Sequence, residues 1–327
     1  MMYMWVGFLL FVGLVLAVDL GVFNRHDHQP TVREAVAFTA ATAVLALMFA
    51  AFVFQAYDNH WQGLGLRPDA IGGQVNDGRA AVVKFITGYI VELSLSMDNV
   101  FVIALIFGHL RVPGKYQHRV LFWGILGALM MRGTMIAGGT ALVARYHWVM
   151  YVFGAFLVVT SAKMLLARKK EESPEERWIV RWLNRHFRVT KEFHAQHFTV
   201  IRDGRRWITP LAVTLVLIET TDLIFAVDSI PAIFAITTDP FLVFTSNVFA
   251  ILGLRSLYFS LAGLIERFRY LNVSLAIILG LVGVKMLAAP VMDRWLGQSQ
   301  NVVMLVTVVG ILLLGAGFSV VGERLRR

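Results

Sequence analysis

The sequence predicts an all-α polytopic membrane protein, organised as a single transmembrane domain over residues 1–327. Two features of the composition support this prediction: 57% of the residues are hydrophobic and only 16% are charged. A typical soluble protein is about 25% charged. Apolar stretches of about 20 residues, the length that crosses a bilayer, also recur along the chain. Because these stretches share one bilayer, we expect one helical bundle rather than separate soluble domains.

The apolar stretches predict about nine transmembrane helices. Polar or charged connections separate them, and the longest connection covers residues 168–208. The predicted spans lie near residues 2–23, 33–56, 82–107, 119–143, 147–167, 210–237, 243–265, 270–289 and 302–322.

The basic residues alternate from one connection to the next. The chain has 30 Lys and Arg residues and a formal net charge of +9, and most of these residues fall in the connections 24–33, 108–119, 168–208 and 266–269 and in the tail. Since positively charged connections stay in the cytoplasm, the pattern predicts an external N-terminus, a cytoplasmic C-terminus and a cytoplasmic 168–208 segment. The basic excess therefore reflects topology. The lipid bilayer is an expected partner, and nucleic acid is not.

The 168–208 segment predicts an amphipathic helix followed by a hairpin. Apolar side chains recur at helical spacing in its first half, on a face that the arginines largely avoid. This apolar set consists of Trp178, Ile179, Trp182, Leu183 and Phe187. Such a pattern is typical of a helix that lies on the inner leaflet. Asp203 and Gly204 then fit the two-residue turn of a hairpin.

Outside the spans, the candidate metal ligands are two histidine pairs. The chain has no cysteine, so thiolate ligands, disulfides and thiol redox chemistry are excluded, and any metal must be held by oxygen or nitrogen. His194 with His197, and His26 with His28, have spacings that permit a metal site. Exposed loop histidines usually have no ligand role, so the role of both pairs stays open.

An internal repeat relates residues 82–167 to residues 210–289. Each copy carries two acids six residues apart, then an intramembrane arginine and a lysine. The corresponding pairs are Glu92 and Asp222, Asp98 and Asp228, Asn99 and Ser229, Arg132 and Arg255, and Lys163 and Lys285. Under the predicted topology, spans three to five begin outside and spans six to eight begin inside, so the copies are inverted. Inverted repeats with polar groups near the midplane are typical of secondary transporters.

The intramembrane acids are the candidate functional residues, because a charged side chain at a helix centre costs about 2.5 to 3.5 kcal/mol. The five acids are Glu92, Asp98, Glu219, Asp222 and Asp228. In the alternative structural interpretation, Arg132, Lys163, Arg255 and Lys285 neutralise these acids and only set the helix registry. Lys163 and Lys285 lie near span ends, where a long side chain is also able to extend to the interface.

Helical geometry orders these side chains further. Residues seven apart lie within about 20° of one face, which places Glu92 with Asn99 and Asp222 with Ser229. The second acid of each copy is turned about 120° away. Pro231 predicts a helix break that would bring Asp228 into line with the first acid of its copy and free a carbonyl for a cation.

The chemistry of this set favours a hard divalent cation. Carboxylates with the Asn99 amide and the Ser229 hydroxyl form an oxygen-rich set suited to Mg²⁺, Ca²⁺ or Mn²⁺. Met97 would add a sulfur that favours Mn²⁺, although a methionine within a span more often serves packing. Protons or basic residues must balance the acids when no metal is bound, so proton-coupled exchange is expected.

Three segments resemble the hallmark segments of the TerC family. They read VELSLSMDNVFVIALIF, IETTDLIFAVDSIPAIFAITTDPF and TSNVFAILGLRSLYF, and the chain from about residue 1 to 322 is similar to Alx-type members. The resemblance implies a bacterial inner-membrane protein, related to LysE-type exporters and associated with tellurite resistance and Mn²⁺ export. It places the acidic site of the family on Glu92, Asp98, Asn99, Glu219, Asp222, Asp228 and Ser229.

The leading prediction is a secondary transporter, not an enzyme, that exports Mn²⁺ from the cytoplasm by proton-coupled alternating access. Asp98 and Asp228 would be paired ligands, Glu92 and Asp222 would be ligands or proton acceptors, and no permanently bound cofactor is expected. One alternative is a membrane partner or redox regulator in the response to tellurite or alkaline stress, without transport of its own. Others are oxyanion transport at the basic residues and an intramembrane aspartyl protease, whose GxGD signature is absent. The oligomeric state is not predicted.

Overall fold

The computed structural model describes residues 2–23, 32–69, 75–166, 174–190, 192–202, 204–261, 271–289 and 299–324. These ranges contain ten α-helices and a hairpin of strands β1 (Thr199–Arg202) and β2 (Arg205–Ile208). The helices are α1 (Met2–Phe23), α2 (Val32–Asp58), α3 (Gly78–His109), α4 (Gly114–Arg145), α5 (Trp148–Leu166), α6 (Pro174–His186), α7 (Pro210–Phe234), α8 (Pro240–Leu261), α9 (Leu271–Leu287) and α10 (Gln300–Arg324).

The all-α membrane fold is confirmed. Six helices within the described ranges are long and apolar enough to cross a membrane, and three more apolar helices are shorter. The six lie at Arg33–Asp58, Gly78–His109, Gly114–Arg145, Trp148–Leu166, Pro210–Phe234 and Gln300–Ser319, and the shorter three at Met2–Val18, Pro240–Leu254 and Val273–Leu287. Every predicted span overlaps one of these helices. The count of nine membrane crossings stays a prediction.

Helices α5 and α9, the third helices of the two proposed copies, pack closely and run antiparallel. The Ser161 hydroxyl donates to the carbonyl of Ala276 at 2.7 Å, whereas a Cβ added at Gly154 would lie 3.0 Å from the Cβ of Met286. Residue numbers therefore rise along α5 as they fall along α9. The absence of a side chain at Gly154 lets the two backbones approach.

The other two pairs of corresponding helices are antiparallel as well. Asn99 of α3 contacts Asp222 of α7, and Gly88, earlier in α3, faces Ile233, later in α7. Gly133 of α4 faces Phe244, at the start of α8, while the earlier residues Ile125 and Ala128 pack against Ile251. An inverted repeat over residues 82–167 and 210–289 requires this arrangement.

Helix α6 packs at the end of the bundle where α3 ends and α7 begins. Ile179 and Leu183 are buried in the same apolar cluster as Phe107 and Leu211. Trp178, in contrast, is 61% exposed, and Trp182 and Phe187 are also exposed. The apolar face of this segment is therefore divided: Ile179 and Leu183 pack against the bundle, while the three other side chains are exposed. The predicted place of the helix on the inner leaflet stays a prediction.

The predicted hairpin is present. Strands β1 and β2 are antiparallel, and Arg202 pairs with Arg205. Gly204 occupies the turn with a φ of +69°, a conformation that glycine adopts without steric cost. Asp203 lies outside the described residues, so its expected place in the turn is untested.

Helix α7 is continuous through Pro231, so the predicted break is wrong. The proline lies in the last turn, three residues before the helix ends at Phe234, and the missing N–H therefore removes a hydrogen bond from one turn only. Helix α3 is also continuous. The Ser94 hydroxyl donates to the carbonyl of Ile90 at 2.6 Å, within the helix, and does not interrupt it.

Candidate functional site

Arg132 of α4 joins the acids of the two copies. Its side chain is buried, with 3% of its surface exposed. Two guanidinium nitrogens donate to Asp222 of α7, from Nε to Oδ2 at 3.2 Å and from Nη2 to Oδ1 at 2.9 Å. Nη1 donates to Oε1 of Glu92 on α3. This planar group thus satisfies one carboxylate with a forked pair of bonds and holds a second carboxylate beside it.

Asn99 and Ser229 complete this cluster. The amide nitrogen of Asn99 donates to Oδ1 of Asp222 at 2.6 Å, and the Ser229 hydroxyl lies 3.5 Å from Nη1 of Arg132. Both side chains are buried. The seven-residue spacing that predicted Glu92 with Asn99 and Asp222 with Ser229 on common faces therefore matches the geometry.

The cluster leaves several polar atoms unsatisfied. Within the described part of the chain, Oε2 of Glu92, Oδ1 of Asn99 and the Ser96 hydroxyl are buried without a hydrogen-bond partner. A buried acceptor that lacks a donor costs about 1 to 3 kcal/mol, and more when it is charged. Such atoms commonly mark a place for water or an ion.

A cavity of about 40 Å³ lies beside the unsatisfied oxygens. Its volume exceeds the roughly 10 to 15 Å³ that one water needs. Acids from both copies line it, together with polar and apolar neighbours: Glu92, Leu95, Asp98, Asn99, Arg132, Met164, Phe225, Asp228, Ser229 and Leu279. The cavity therefore brings Asp98 and Asp228 to one space, as their predicted pairing requires.

Asp228 and Glu219 are less buried than the acids around Arg132. Asp228 accepts a long hydrogen bond of 3.4 Å from the Thr160 hydroxyl of α5. Glu219 is not among the cavity-lining residues and packs against α4, where a Cβ at Gly127 would collide with its carboxylate. Gly127 carries no signal in the sequence, because its importance depends on a contact with another helix.

The predicted charge-balancing residues have different environments. Lys285 is buried and donates to the carbonyl of Ala235 at 3.1 Å, so of the two positions that the sequence left open for it, it does not take the one at the interface. Lys163 is exposed. The side chain of Arg255 lies outside the described part of the structure. Among the described side chains of this set, Arg132 is the one placed directly between two acids.

The acids are arranged around a guanidinium rather than around a preformed metal site. Among the described residues, no group of three or more Asp, Glu or His side chains is close enough to hold a metal. His197 is exposed, and its backbone N–H donates to the carbonyl of His194 at 3.1 Å in a turn. His26 and His28 lie outside the described residues.

A second buried ion-pair network lies at the opposite end of the bundle from α6, and no sequence motif or spacing indicates it. We call it the loop-anchoring network; it consists of Asp69, Asn76, Lys84, Thr237 and Thr238. The Lys84 ammonium donates to Oδ2 of Asp69 at 2.9 Å and to Oδ1 of Asn76 at 2.6 Å. Asp69 also accepts from the Thr237 hydroxyl at 2.5 Å and from the backbone N–H and hydroxyl of Thr238 at 2.8 and 2.6 Å.

The loop-anchoring network attaches the α2–α3 loop to both copies. Burial raises the pKa of Asp69. The charge of Lys84 and the hydrogen bonds from Thr237 and Thr238 lower the pKa by more than burial raises it, so it lies below its ordinary value. Asp239 comes directly after Thr238 in the chain and caps the start of α8. Its carboxylate accepts from the backbone N–H of Phe241 at 3.0 Å, and a proline occupies the first helical position.

This fold, with charged groups buried between antiparallel membrane helices, defines a multi-pass integral membrane protein. A family model described as "Integral membrane protein TerC family" matches residues 77–323. The chain belongs to the TerC family.

Several bacterial relatives match most of the chain. "Uncharacterized membrane protein STKORF319" of Myxococcus xanthus is 49% identical over 283 residues, which cover 86% of this chain and 82% of the relative. The Escherichia coli K12 protein named "Putative membrane-bound redox modulator Alx" is 44% identical over 286 residues, which cover 87% and 85%. An "Uncharacterized membrane protein" of Rickettsia felis is 37% identical over 281 residues, which cover 86% and 87%. No solved structure matches this chain.

Proposed function

We propose that this protein is a secondary transporter that exports divalent metal cations, with Mn²⁺ as the main substrate, from the cytoplasm in exchange for protons. The observation that carries the proposal is the cavity between α3 and α7, which Glu92, Asp98 and Asp228 line together. Polar sites at the contact of two inverted helix triplets are typical of secondary transporters. The proposal places the chain in the bacterial inner membrane, with the N-terminus outside and the C-terminus in the cytoplasm.

The charge around the cavity favours a cation as the substrate. Among the described side chains there, the carboxylates of Glu92, Asp98, Asp222 and Asp228 outnumber the single guanidinium of Arg132 by three. A dianion would meet this excess negative charge in a medium of low dielectric, where like charges repel strongly. Oxyanion transport at the basic residues is therefore disfavoured.

Arg132 would act as an internal counter-ion. It pairs with Asp222 and with one oxygen of Glu92 in the present conformation, so an entering divalent cation competes with the guanidinium for the same carboxylates. When the cation leaves, the guanidinium returns and the acids are not left buried without a partner. This exchange limits the cost of an empty site, which would otherwise be several kcal/mol for each uncompensated buried charge.

The remaining side chains supply ligands and proton acceptors. Asp98 and Asp228 would bind the cation directly, while Glu92 and Asp222 would bind it or take up protons as it leaves. The unsatisfied amide oxygen of Asn99 and the hydroxyl of Ser229 would add neutral oxygen ligands, which hard divalent cations accept. Glu219 of α7, whose carboxylate lies against α4, would add negative charge near the site. Each of these functions is transport rather than catalysis, and we propose that the chain is not an enzyme.

The experiment is Mn²⁺ flux into or out of proteoliposomes that contain the purified full-length protein, under an imposed pH gradient. The test variant is Asp98→Asn with Asp228→Asn. The matched control is Asp58→Asn with Asp77→Asn, which removes the same charge from exposed positions. We expect gradient-dependent flux in the wild type and the control and loss of at least tenfold in the test variant. Flux that survives in the test variant would overturn the assignment of the site.

A regulatory function without transport is the second candidate, and the name of the Escherichia coli relative supports it. The absence of cysteine in this chain means that such a regulator would act through a partner rather than through its own thiols. If folded wild-type protein shows no flux of Mn²⁺, Mg²⁺ or Ca²⁺ at any imposed gradient, the regulatory function replaces the transport proposal.

A further inference from the structure

Helix α6 presents two different apolar surfaces. Ile179 and Leu183 are 8% and 4% exposed and pack into the bundle, whereas Trp178 and Trp182 are 61% and 41% exposed. A tryptophan exposed to this degree is unfavourable in water, but its ring is favoured at a membrane interface, where one side is apolar and the other is wet. The exposed tryptophans therefore need a surrounding other than bulk water.

The packing of α6 fixes its depth. Phe107 lies in the last turn of α3 and Leu211 in the first turn of α7, and both belong to the cluster that buries Ile179 and Leu183. Helix α6 therefore lies at the level where two membrane-spanning helices end. We infer that this level falls in the headgroup region of the bilayer, where spanning helices end.

Arginines lie directly beside the exposed tryptophans. At about 100° per residue, Arg181 and Arg185 fall about 60° and 20° to one side of Trp178, and Trp182 falls about 40° to the other side. Both arginines are exposed. The four side chains thus form one contiguous strip of rings and guanidinium groups, adjacent to the buried ridge.

We propose that this strip, Trp178, Arg181, Trp182 and Arg185, is a binding site for anionic phospholipid headgroups. Guanidinium groups bind phosphate oxygens through forked hydrogen bonds, and basic residues at a membrane surface each gain about 1 kcal/mol from anionic lipids. The tryptophan rings occupy the boundary between headgroups and acyl chains. The chemistry selects phosphatidylglycerol over the zwitterionic phosphatidylcholine.

The lipid site is linked to the first turn of α7. After α6 ends, the carbonyl of Arg188 accepts from the backbone N–H of Ile208 at 2.9 Å, and the N–H of Thr190 donates to the carbonyl of Ile208 at 2.9 Å. Ile208 is the last residue of β2 and lies two residues before α7. A lipid held on α6 therefore also stabilises the start of the helix that carries Asp222. The proposal does not depend on which substrate, if any, the protein transports.

The test is a titration of purified full-length protein in detergent with phosphatidylglycerol or phosphatidylcholine, followed by the increase in Tm. The variants are Arg181→Gln with Arg185→Gln, and Trp178→Ala with Trp182→Ala. The matched control is Arg67→Gln with Arg79→Gln, which removes the same charge from exposed positions before and at the start of α3. Inorganic phosphate is titrated in parallel.

We expect phosphatidylglycerol to raise the Tm of the wild type and the control at lower concentrations than phosphatidylcholine does. Each arginine removed from α6 should weaken the apparent affinity for phosphatidylglycerol about fivefold, and loss of the tryptophans should weaken binding of both lipids. Equal responses to the two lipids in the wild type, an equal loss in the Arg67 and Arg79 control, or a full response to inorganic phosphate would each overturn the proposal. A variant that does not fold is replaced by the single substitution Arg185→Gln.

Discussion

Two buried ion-pair networks in this protein have the same chemistry but differ in completeness. In the loop-anchoring network, both oxygens of Asp69 accept two hydrogen bonds each, and Lys84 donates to two partners. In the network around Arg132, Asp222 is satisfied, but Glu92 Oε2 lacks a partner among the described residues and a cavity lies next to it.

The difference separates a structural network from a functional one. A buried carboxylate with a full set of donors gains nothing from a further cation, and its main effect is to hold a loop against helix ends. A buried carboxylate with an open lone pair beside a cavity is expensive to maintain unless something binds there. Substitutions at Lys84, Asp69 and Arg132 remove parts of each network and test this distinction, and a substitution at Gly127 tests the packing of Glu219 beside the second network.

The largest effect is expected from Lys84→Met, which leaves Asp69 buried without its cation. Removing one partner of a buried pair costs about 3 to 5 kcal/mol, and the free energy of unfolding from SDS titration in mixed micelles measures it. Lys115→Met, at an exposed position, is the control and should change stability by less than about 0.5 kcal/mol. Adding Asp69→Asn to Lys84→Met should recover part of the loss. If Lys84→Met is as mild as the control, the network is not structural.

Arg132→Met should destabilise the protein less, by about 2 kcal/mol. Water or a cation in the adjacent cavity is able to take the place of the guanidinium beside Glu92 and Asp222. Mn²⁺ should reverse this loss, since a ligand at 100 times its Kd stabilises by about 2.7 kcal/mol. Thermal unfolding with and without Mn²⁺ measures the recovery. The same Mn²⁺ concentration should stabilise Lys84→Met no more than it stabilises the wild type, and an equal recovery in Lys84→Met and Arg132→Met would contradict the distinction between the networks.

Gly127→Ala should cost about 0.5 to 1.5 kcal/mol, because the new Cβ meets the carboxylate at the end of the Glu219 side chain, which has to turn to another rotamer. Gly138→Ala on the same helix is the matched control. No atom lies within 4 Å of a Cβ at Gly138, so this change should be neutral or stabilising by up to about 1 kcal/mol from helix propensity. Unfolding in mixed micelles compares the two. Equal effects would show that Glu219 does not lie between α4 and α7.

The smallest effect concerns pH. The pKa of Asp69 is below its ordinary value of 3.8, so the folded state favours the ionised carboxylate. The stability from this group is fully present above pH 3.8 and is lost as pH falls through the lower folded pKa. Asp69→Asn should therefore be less stable than the wild type at neutral pH but lose less stability on acidification. The Tm of the wild type and of Asp69→Asn, measured from neutral pH to below pH 3.8, tests this difference. If Tm falls in parallel for the two proteins, Asp69 is not the titrating group.

Sequence reasoning predicted the membrane helices and much of the Arg132 network. Apolar length alone identifies a span, and a seven-residue spacing places two side chains on one helix face. Both rules depend on neighbours along the chain. They placed Glu92 with Asn99 and Asp222 with Ser229. The repeat indicated Arg132 as one of four charge-balancing residues, and only the structure distinguishes it from the others.

The errors arose where distant segments meet. Pro231 predicted a break because the rule considers one helix, whereas its position in the last turn of α7 makes the break unnecessary. The sequence left open whether Lys285 extends to the interface, because its hydrogen-bond acceptor, the carbonyl of Ala235, lies 50 residues earlier in the chain.

The sequence by itself determined that this chain is a helical membrane protein with acids buried in two related segments, because hydropathy and spacing are properties of local stretches. Only the tertiary structure decided which acid has a full set of partners and which has an open oxygen beside a cavity. That outcome depends on packing between helices: Asp69 finds Thr237 and Thr238 across the bundle, and Arg132 reaches two acids on two other helices. Whether a buried charged group finds hydrogen-bond partners depends on which side chains of other helices lie within bonding distance, and neither composition nor periodicity specifies this.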